Sequence, residues 1–165
     1  MSERDDLVAA LDRQRYFLRN TLRDLTDDQA RQAPSASELC LGGLIKHVGR
    51  AEAQWTAFIR VGASAMSGLD RAAMADWLAA FRMGPDETLE GILADYDAVA
   101  TATDELVRTV PDLDLARPLP TAPWFEPGAQ WTIRRVVLHI IGEIAQHAGH
   151  ADIVRETLDG TRSMG

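Results

Sequence analysis

The sequence is short of the features that mark secreted and membrane-spanning proteins. It has one cysteine, Cys40, so no intramolecular disulfide can form and a reducing compartment is expected. No uninterrupted apolar run approaches the roughly 18 residues of a membrane span. The N-terminal stretch MSERDDLVAA also lacks the apolar centre of a signal peptide. We therefore expect a soluble, cytoplasmic protein without a membrane partner.

Positive charge and aromatic residues are also scarce. The 165 residues include 17 Lys and Arg against 25 Asp and Glu, which gives a formal net charge of −8. Such a chain lacks the basic surface that phosphate binding requires, so we expect no nucleic-acid partner. Aromatic residues make up 6% of the chain. Alanine and leucine are abundant and β-branched runs are few, a composition that favours helices over sheet.

Apolar residues recur at helical spacing in four long segments. They predict a first helix over residues 5 to 24 and a second over residues 37 to 61, opened by a capping-box sequence at Ser35–Glu38. A third is predicted from Asp86 and Glu87, which supply acidic charge to its first turn, to about residue 109. The fourth is capped by Thr132 and ended by Gly160.

The segments between these helices differ in character. A short helix with Met74, Trp77, Leu78 and Phe81 is expected before the third long helix. Residues 111 to 130 contain five prolines, so they cannot be helical throughout. A connection of this length is often functional, and its Trp124–Phe125 pair is expected to cover one end of the bundle. The chain is predicted to be one domain, residues 1–165, with an all-α fold: a four-helix bundle with a long proline-rich crossover before the last helix.

Two adjacent glycines interrupt the second helix. Gly42 and Gly43 each lower helix propensity by roughly 1 kcal/mol. Their presence indicates that another helix or a ligand passes close to the backbone at this point. An uncapped helix start is the other interpretation.

The last helix carries the residues with the clearest chemistry. It contains His139, His147 and His150, with Glu143 among them. At about 100° per residue from His139, Glu143 falls near 40°, His147 near 80° and His150 near 20°, so the four point the same way. The same arc is apolar, and burying a carboxylate and imidazoles there costs several kcal/mol unless it is compensated. A metal ion supplies that compensation, and Glu143 and His147 form an i,i+4 pair able to bind one.

A further ligand has to come from another helix. His47 is the histidine outside the last helix, and it lies at the margin of the apolar face of the second helix. Three ligands, His47, Glu143 and His147, leave a coordination position open, as in catalytic zinc sites. A divalent ion in such a site lowers the pKa of a bound water or thiol.

Each of these residues also has a structural interpretation, because E-x3-H is a weak pattern. His150 and Gln146 either support the ligands or donate a proton, or they form a helix-surface pair. His139 is interpreted as a hydrogen-bonded core residue. Glu52 either orients a metal ligand or, the preferred interpretation, pairs with an arginine of the last helix. Cys40 is interpreted as a core filler rather than a nucleophile.

Parts of the sequence resemble a known family. The run HIIGEIAQHAGHADIVRETLDG at 139–160, with LCLGGLIKHVGRAEAQW at 39–55, is similar to the actinobacterial branch of the DinB-like superfamily. That branch is grouped with mycothiol-dependent S-transferases and maleylpyruvate isomerases. The similarity extends over essentially the whole chain, including GPDETLEGILADYDAV at 84–99. Its most specific part is the E-x-A-x-H-x-G-H-A-D core.

The resemblance implies a four-helix bundle, often dimeric, that holds a divalent ion of the zinc or nickel type with three side chains. The family's ligands map onto His47, Glu143 and His147. Glu143 stands where many members have the first histidine of a His-x3-His pair, a substitution that the mycothiol-linked branch also shows. His150 replaces a glutamine that is common elsewhere in the superfamily, so the resemblance does not assign its role.

We therefore expect a metal-dependent transferase of a low-molecular-weight thiol, mycothiol, to an electrophilic small molecule. Zinc is the expected ion, mycothiol the co-substrate and His150 the proton carrier, with Trp124–Phe125 and Trp131 shaping the acceptor pocket. One alternative is a thiol-assisted isomerase of the maleylpyruvate type, which adds and then eliminates the thiol. Another is a stress-related metal-binding bundle without activity. A homodimer is expected in each case, because bundles pair through exposed apolar faces.

Overall fold

Four long helices make up most of the chain in the computed structural model, which describes residues 2–66, 75 and 77–163. The predicted all-α four-helix bundle with a proline-rich crossover is confirmed. The elements, in chain order, are α1 (Glu3–Asn20), α2 (Asp27–Arg31), α3 (Leu41–Val61), a 3-10 helix (Gly62–Met66), α4 (Leu89–Thr109), the strands β1 (Ala116–Pro118) and β2 (Gln130–Thr132), and α5 (Ile133–Asp159).

Each long helix packs against two others around a single core. α5 lies between α1 and α3, and α4 packs against α3 and α1 on the opposite side. Leu11 of α1, Phe58 of α3 and Ile144 of α5 are completely buried where these faces meet. The adjacency of α3 and α5 matters most for function, because these two helices carry all four histidines.

α1 ends at Asn20 rather than at the predicted residue 24. A turn follows, and Asp24 adopts a left-handed φ of 61° within it. The guanidinium of Arg155, buried on α5, donates to the carbonyls of Thr21 at 2.9 Å and Arg23 at 2.7 Å. The carbonyls at the end of α1 are thus satisfied by a neighbouring helix, which a periodic sequence pattern does not reveal.

α3 begins at Leu41 rather than at the predicted residue 37. The capping box at Ser35–Glu38 is not formed, because the Ser35 hydroxyl instead accepts from the backbone N–H of Ser37 at 3.2 Å. Cys40 is the residue that caps the helix, and its Sγ accepts from the backbone N–H of Gly43 at 3.3 Å. Cys40 is buried, as expected for a core filler, and it also has this capping role.

The two glycines of α3 lie where the segment before α4 crosses the helix. A Cβ on Gly43 would lie 1.9 Å from the backbone oxygen of Phe81, and one on Gly42 would lie 2.5 Å from the sulfur of Met83. A close approach to these glycines is therefore confirmed, but it comes from a non-helical segment, through backbone at Gly43 and a side chain at Gly42, rather than from another helix or a ligand. This crossing lays the Phe81 ring against His47, with ring centroids 3.7 Å apart.

The segment before α4 differs from the prediction in its boundary. α4 begins at Leu89 with Thr88 as its cap, so Asp86 and Glu87 precede the helix and are not part of its first turn. Glu87 instead accepts from Nζ of Lys46 on α3 at 2.8 Å. Residues 77–79 of the predicted short helix are helical, and Met74 lies outside the described residues.

The crossover between α4 and α5 contains a small antiparallel sheet that the sequence did not predict. β1 pairs with β2, with Arg117 opposite Trp131. The ladder continues into α5, because the N–H of Ile133 donates to the carbonyl of Leu115 at 3.0 Å. The predicted cap at Thr132 is confirmed. The sheet thereby fixes Trp131 at the start of the helix that carries three histidines.

Within the described part of the chain, no helix combines the length and the apolar character that a membrane span needs.

Candidate metal centre

The structure brings together the three residues that were predicted as metal ligands. One ligand atom each of His47 on α3 and of Glu143 and His147 on α5 lie within 4.8 Å of one another. Glu143 Oε2 is 3.7 Å from His147 Nε2, and the rings of His47 and His147 are 4.8 Å apart at 72°. That these residues bind a metal stays a prediction.

The cluster is closed on the α3 side and open on the α5 side. His47 is 3% exposed and His147 is 9% exposed, whereas the side chain of Glu143 is 31% exposed. The expectation that the whole polar arc of α5 faces the core is therefore wrong for Glu143 and for His139, which is equally exposed. A helical wheel gives the direction of a side chain but not its depth of burial, and this arc runs from the core to the protein surface.

His47 is enclosed by aromatic rings. Phe81 stacks on its imidazole, and Trp77 meets it edge-on with centroids 4.9 Å apart. Within the described part of the chain, its Nδ1 is buried without a hydrogen-bond partner. Leaving such an atom unsatisfied costs about 1–3 kcal/mol. A histidine nitrogen in this condition fits a metal-binding role, because a bond to an ion would satisfy it.

Burial keeps the two enclosed imidazoles neutral. Desolvation lowers the pKa of His47 to about 4, and His147 and Arg50 add to the effect. Desolvation also lowers the pKa of His147, with the Glu143 carboxylate opposing the change. Both rings are therefore neutral at neutral pH, with one nitrogen free to bind a metal.

The donor set and its spacing fit a divalent ion. Two imidazoles and one carboxylate, without thiolates, are typical of catalytic rather than structural zinc sites, and nickel accepts the same donors. Bonds of about 2.0–2.2 Å keep any two donor atoms within roughly 4.4 Å of each other. The observed spacing of up to 4.8 Å is close to that limit. Small side-chain rotations of Glu143 and the two histidines would close the remaining gap.

His150 lies next to the cluster but on the far side of His147. Its Nδ1 is 3.4 Å from Nδ1 of His147, and the two rings are 5.4 Å apart. His147 thus presents Nε2 to Glu143 and Nδ1 to His150. The predicted catalytic role of His150 as a proton carrier stays a prediction. Gln146, predicted to act with it, is exposed.

His139 connects the cluster to a group of tryptophans that the sequence had not placed there. Its Nε2 is 3.8 Å from Glu143 Oε1, beyond hydrogen-bonding distance, and its ring meets Trp55 at 4.7 Å and Trp131 at 5.2 Å. Trp55 and Trp131 are stacked in parallel 5.1 Å apart. His139 is therefore a partly exposed residue against aromatic rings, not the hydrogen-bonded core residue that was expected. The position of Trp55, two turns after His47 on the same helix face, is the signal that could have found this group.

The tryptophan group extends to the proline-rich crossover and to one cation. Phe125 meets Trp131 edge-on at 5.8 Å, and Trp124 beside it is exposed. The guanidinium of Arg135 lies over the Trp131 ring at 4.6 Å. Together these side chains form a partly exposed aromatic surface around Trp131, which His139 also contacts.

Glu52 belongs to a different cluster. Its Oε1 accepts from Nη2 of Arg15 on α1 at 2.5 Å, and both residues are buried. The expectation of an arginine from the last helix is therefore wrong, because the buried side chain of Arg15 on α1 reaches Glu52 inside the bundle. Glu52 has no part in the candidate metal centre.

The comparisons with known proteins identify a family and a fold. A family model described as mycothiol-S-transferase matches residues 6–160. Among solved structures, a conserved protein from Enterococcus faecalis is similar with a TM-score of 0.64 and 17% sequence identity, over 98% of this chain and 99% of that one. At that identity the likeness shows the fold alone. No curated protein matches.

Proposed function

Because the chain belongs to the mycothiol S-transferase family, a DinB-like family, we propose that it uses a divalent ion to transfer mycothiol to an electrophilic small molecule. Family membership makes it a mycothiol-related transferase. The dependence on a metal ion is our own proposal, and it rests on one observation. Among the described residues, Nδ1 of His47 is buried without a hydrogen-bond partner, and one nitrogen of the same ring lies in a cluster with Glu143 and His147 of the neighbouring helix.

Each residue of the cluster would have a separate role. When bound, a divalent ion of the zinc or nickel type lowers the pKa of a thiol and keeps it as a thiolate at neutral pH. His47 and His147 would bind as neutral ligands, and Phe81 and Trp77 exclude water from the α3 side. Glu143 lies at the open edge, where a thiol can enter. In the net reaction the thiol would lose its proton to solvent, the sulfur would form a bond to the acceptor carbon, and the bond from that carbon to the displaced group would break, with the displaced group taking the electron pair.

The electrophile would bind at the partly exposed aromatic surface around Trp131. Trp131 and His139 are both partly exposed and lie on the open side of Glu143. Aromatic faces and edges suit an apolar or planar acceptor. The exposed Trp124 of the crossover would contact the same ligand, in keeping with the acceptor pocket predicted from the sequence.

Oligomeric state stays a prediction. The exposed face of α5 includes Leu138 and Ile153, and a homodimer would cover such apolar side chains. Light scattering at micromolar concentration would measure the mass directly.

Elemental analysis of untagged protein, purified without chelator, tests the metal part. We expect near-stoichiometric zinc or nickel in the unaltered protein and in His139→Ala, and loss of the metal in His47→Ala. His139→Ala is the matched control, because it removes an imidazole from α5 outside the cluster. Absence of metal from the unaltered protein, even after incubation with zinc or nickel, would contradict the proposed centre.

Incubating the metal-loaded protein with mycothiol and a panel of electrophiles tests the chemistry. Stoichiometric consumption of thiol and electrophile supports the transferase. A change in substrate with the thiol unconsumed would show the isomerase reaction instead. Metal binding with no reaction of any electrophile would leave a metal-binding bundle without transferase activity.

A further inference from the structure

The two ring nitrogens of His147 face different groups. Its Nε2 lies 3.7 Å from Glu143 Oε2, on the side of the candidate centre. Its Nδ1 lies 3.4 Å from Nδ1 of His150, one helical turn further along α5. Only the second contact is within hydrogen-bonding distance, although it is long. His147 therefore has a hydrogen-bond partner on the side away from Glu143.

This contact determines which nitrogen of His147 is available as a ligand. A neutral imidazole has one N–H and one lone pair, and the partner of one nitrogen selects the form of the other. If His147 donates from Nδ1 to His150, its Nε2 lone pair faces Glu143 and His47. If His150 is the donor, the proton of His147 is on Nε2, and that atom cannot bind a metal.

We propose that His150 is a positioning residue that accepts the Nδ1–H of His147 and so keeps Nε2 of His147 in the ligand form. Glu143 favours the opposite form, because its carboxylate would accept an Nε2–H, but 3.7 Å is too long for that bond. The effect on metal binding rests on the proposed function, whereas the hydrogen bond itself does not. His150 needs no change of protonation in this role, which separates it from the proton carrier predicted from the sequence.

Zinc affinity, measured by competition with a chelating dye, tests the role. His150→Gln keeps an acceptor oxygen but has no titratable group, whereas His150→Leu has neither. We expect zinc to bind about 10- to 100-fold more weakly to His150→Leu, the usual effect of removing an outer hydrogen-bonding partner. His150→Gln should stay within a few-fold of the unaltered protein. Gln146→Leu, at an exposed position of the same helix turn, is the control and should bind as the unaltered protein does.

Two results in this assay would overturn the proposal. One is unchanged zinc affinity in a His150→Leu protein that melts at the same temperature as the unaltered one. The other is normal zinc binding in both His150 variants together with loss of thiol transfer in both, which would identify His150 as the proton carrier.

Nitrogen-15 NMR of the histidine rings gives a readout that needs neither metal nor activity. In the metal-free protein we expect His147 mainly as the Nδ1–H tautomer, and a shift toward Nε2–H in His150→Leu. A dominant Nε2–H form in the unaltered protein would also overturn the proposal. If the protein binds no zinc but shows the expected tautomer, the proposed function fails and the contact between the two histidines is still supported.

Discussion

Two polar clusters each include one buried residue of α3, and they differ in how their buried groups are paired. In the first, Arg15 donates to Glu52 at 2.5 Å and to Asp104 at 2.8 Å, joining α1, α3 and α4. Burial alone would lower the pKa of Arg15, but the two carboxylates raise it above its usual value. In the second, His47 and His147 are neutral, and Glu143 lies 3.7 Å from the nearest imidazole nitrogen without a hydrogen bond.

The difference separates a structural cluster from a candidate functional one. The Arg15 cluster balances its charge within the protein, although Arg15 Nε, Glu52 Oε2 and the hydroxyl of Tyr96 have no hydrogen-bond partner among the described residues. In the His47 cluster, Nδ1 of His47 has no hydrogen-bond partner among the described residues, and the Glu143 side chain is 31% exposed. A buried polar residue on an apolar helix face therefore indicates function only when the neighbouring helices leave it without a charged partner.

Arg15→Met should produce the largest effect, a loss of about 3–5 kcal/mol in the free energy of unfolding, because it leaves the Glu52 carboxylate buried and unpaired. Urea unfolding followed by circular dichroism measures it. The matched variant, Arg15→Met with Glu52→Leu, should recover part of the loss, because the buried Glu52 carboxylate is then removed together with its partner, whereas Asp104 still loses its bond to Arg15. A loss below about 1 kcal/mol for the single change would show that the Arg15 cluster contributes little to stability.

Zinc should stabilise the protein by binding to the cluster of His47, Glu143 and His147. At a free concentration roughly 100-fold above Kd, the free energy of unfolding should rise by about 2.7 kcal/mol. His47→Ala should abolish this increase, whereas Arg15→Met should keep it, because the two clusters share no side chain. Thermal melts with and without zinc measure both. An equal increase in His47→Ala would mean that zinc binds elsewhere.

Acid should destabilise the metal-free protein through the His47 cluster. The pKa of His47 is lowered from 6.5 to about 4 by burial, so the unfolded chain binds the proton more readily between these values. Stability is then complete above about pH 6.5 and falls as the pH drops toward 4, by about 2 kcal/mol between pH 7 and pH 5. Urea midpoints across this range should fall less steeply in His47→Gln. An unchanged slope in that variant would contradict the assignment to His47.

The sequence predicted the helices and the three clustered residues because both depend on periodicity. The i,i+4 spacing of Glu143 and His147 fixes their relative position on α5, and the bundle makes α3 a neighbour of α5. The depth of burial of a side chain was not predictable from periodicity. Glu143 and His139 point in the same direction as buried residues, yet the side chain of each is 31% exposed.

Long-range contacts explain the remaining errors. The carbonyls after α1 are bound by Arg155, more than a hundred residues away, and Gly43 of α3 makes room for the backbone of Phe81. The partner of Glu52 was misassigned because the order of helices around the bundle decides which arginine faces it. None of these contacts leaves a local pattern in the sequence.

Asp12→Asn should produce the smallest effect, because Asp12 is the exposed partner of Arg15. Its Oδ1 accepts from Arg15 Nη1 at 3.1 Å, but the Asp12 side chain is 60% exposed, against 1% for Glu52. Water already solvates an exposed carboxylate, so losing its charge should change the free energy of unfolding by only about 0.2–1 kcal/mol. Urea unfolding beside Arg15→Met gives the ratio of the two effects. If Asp12→Asn cost as much as Arg15→Met, desolvation of Glu52 would not be what makes the Arg15 cluster structural.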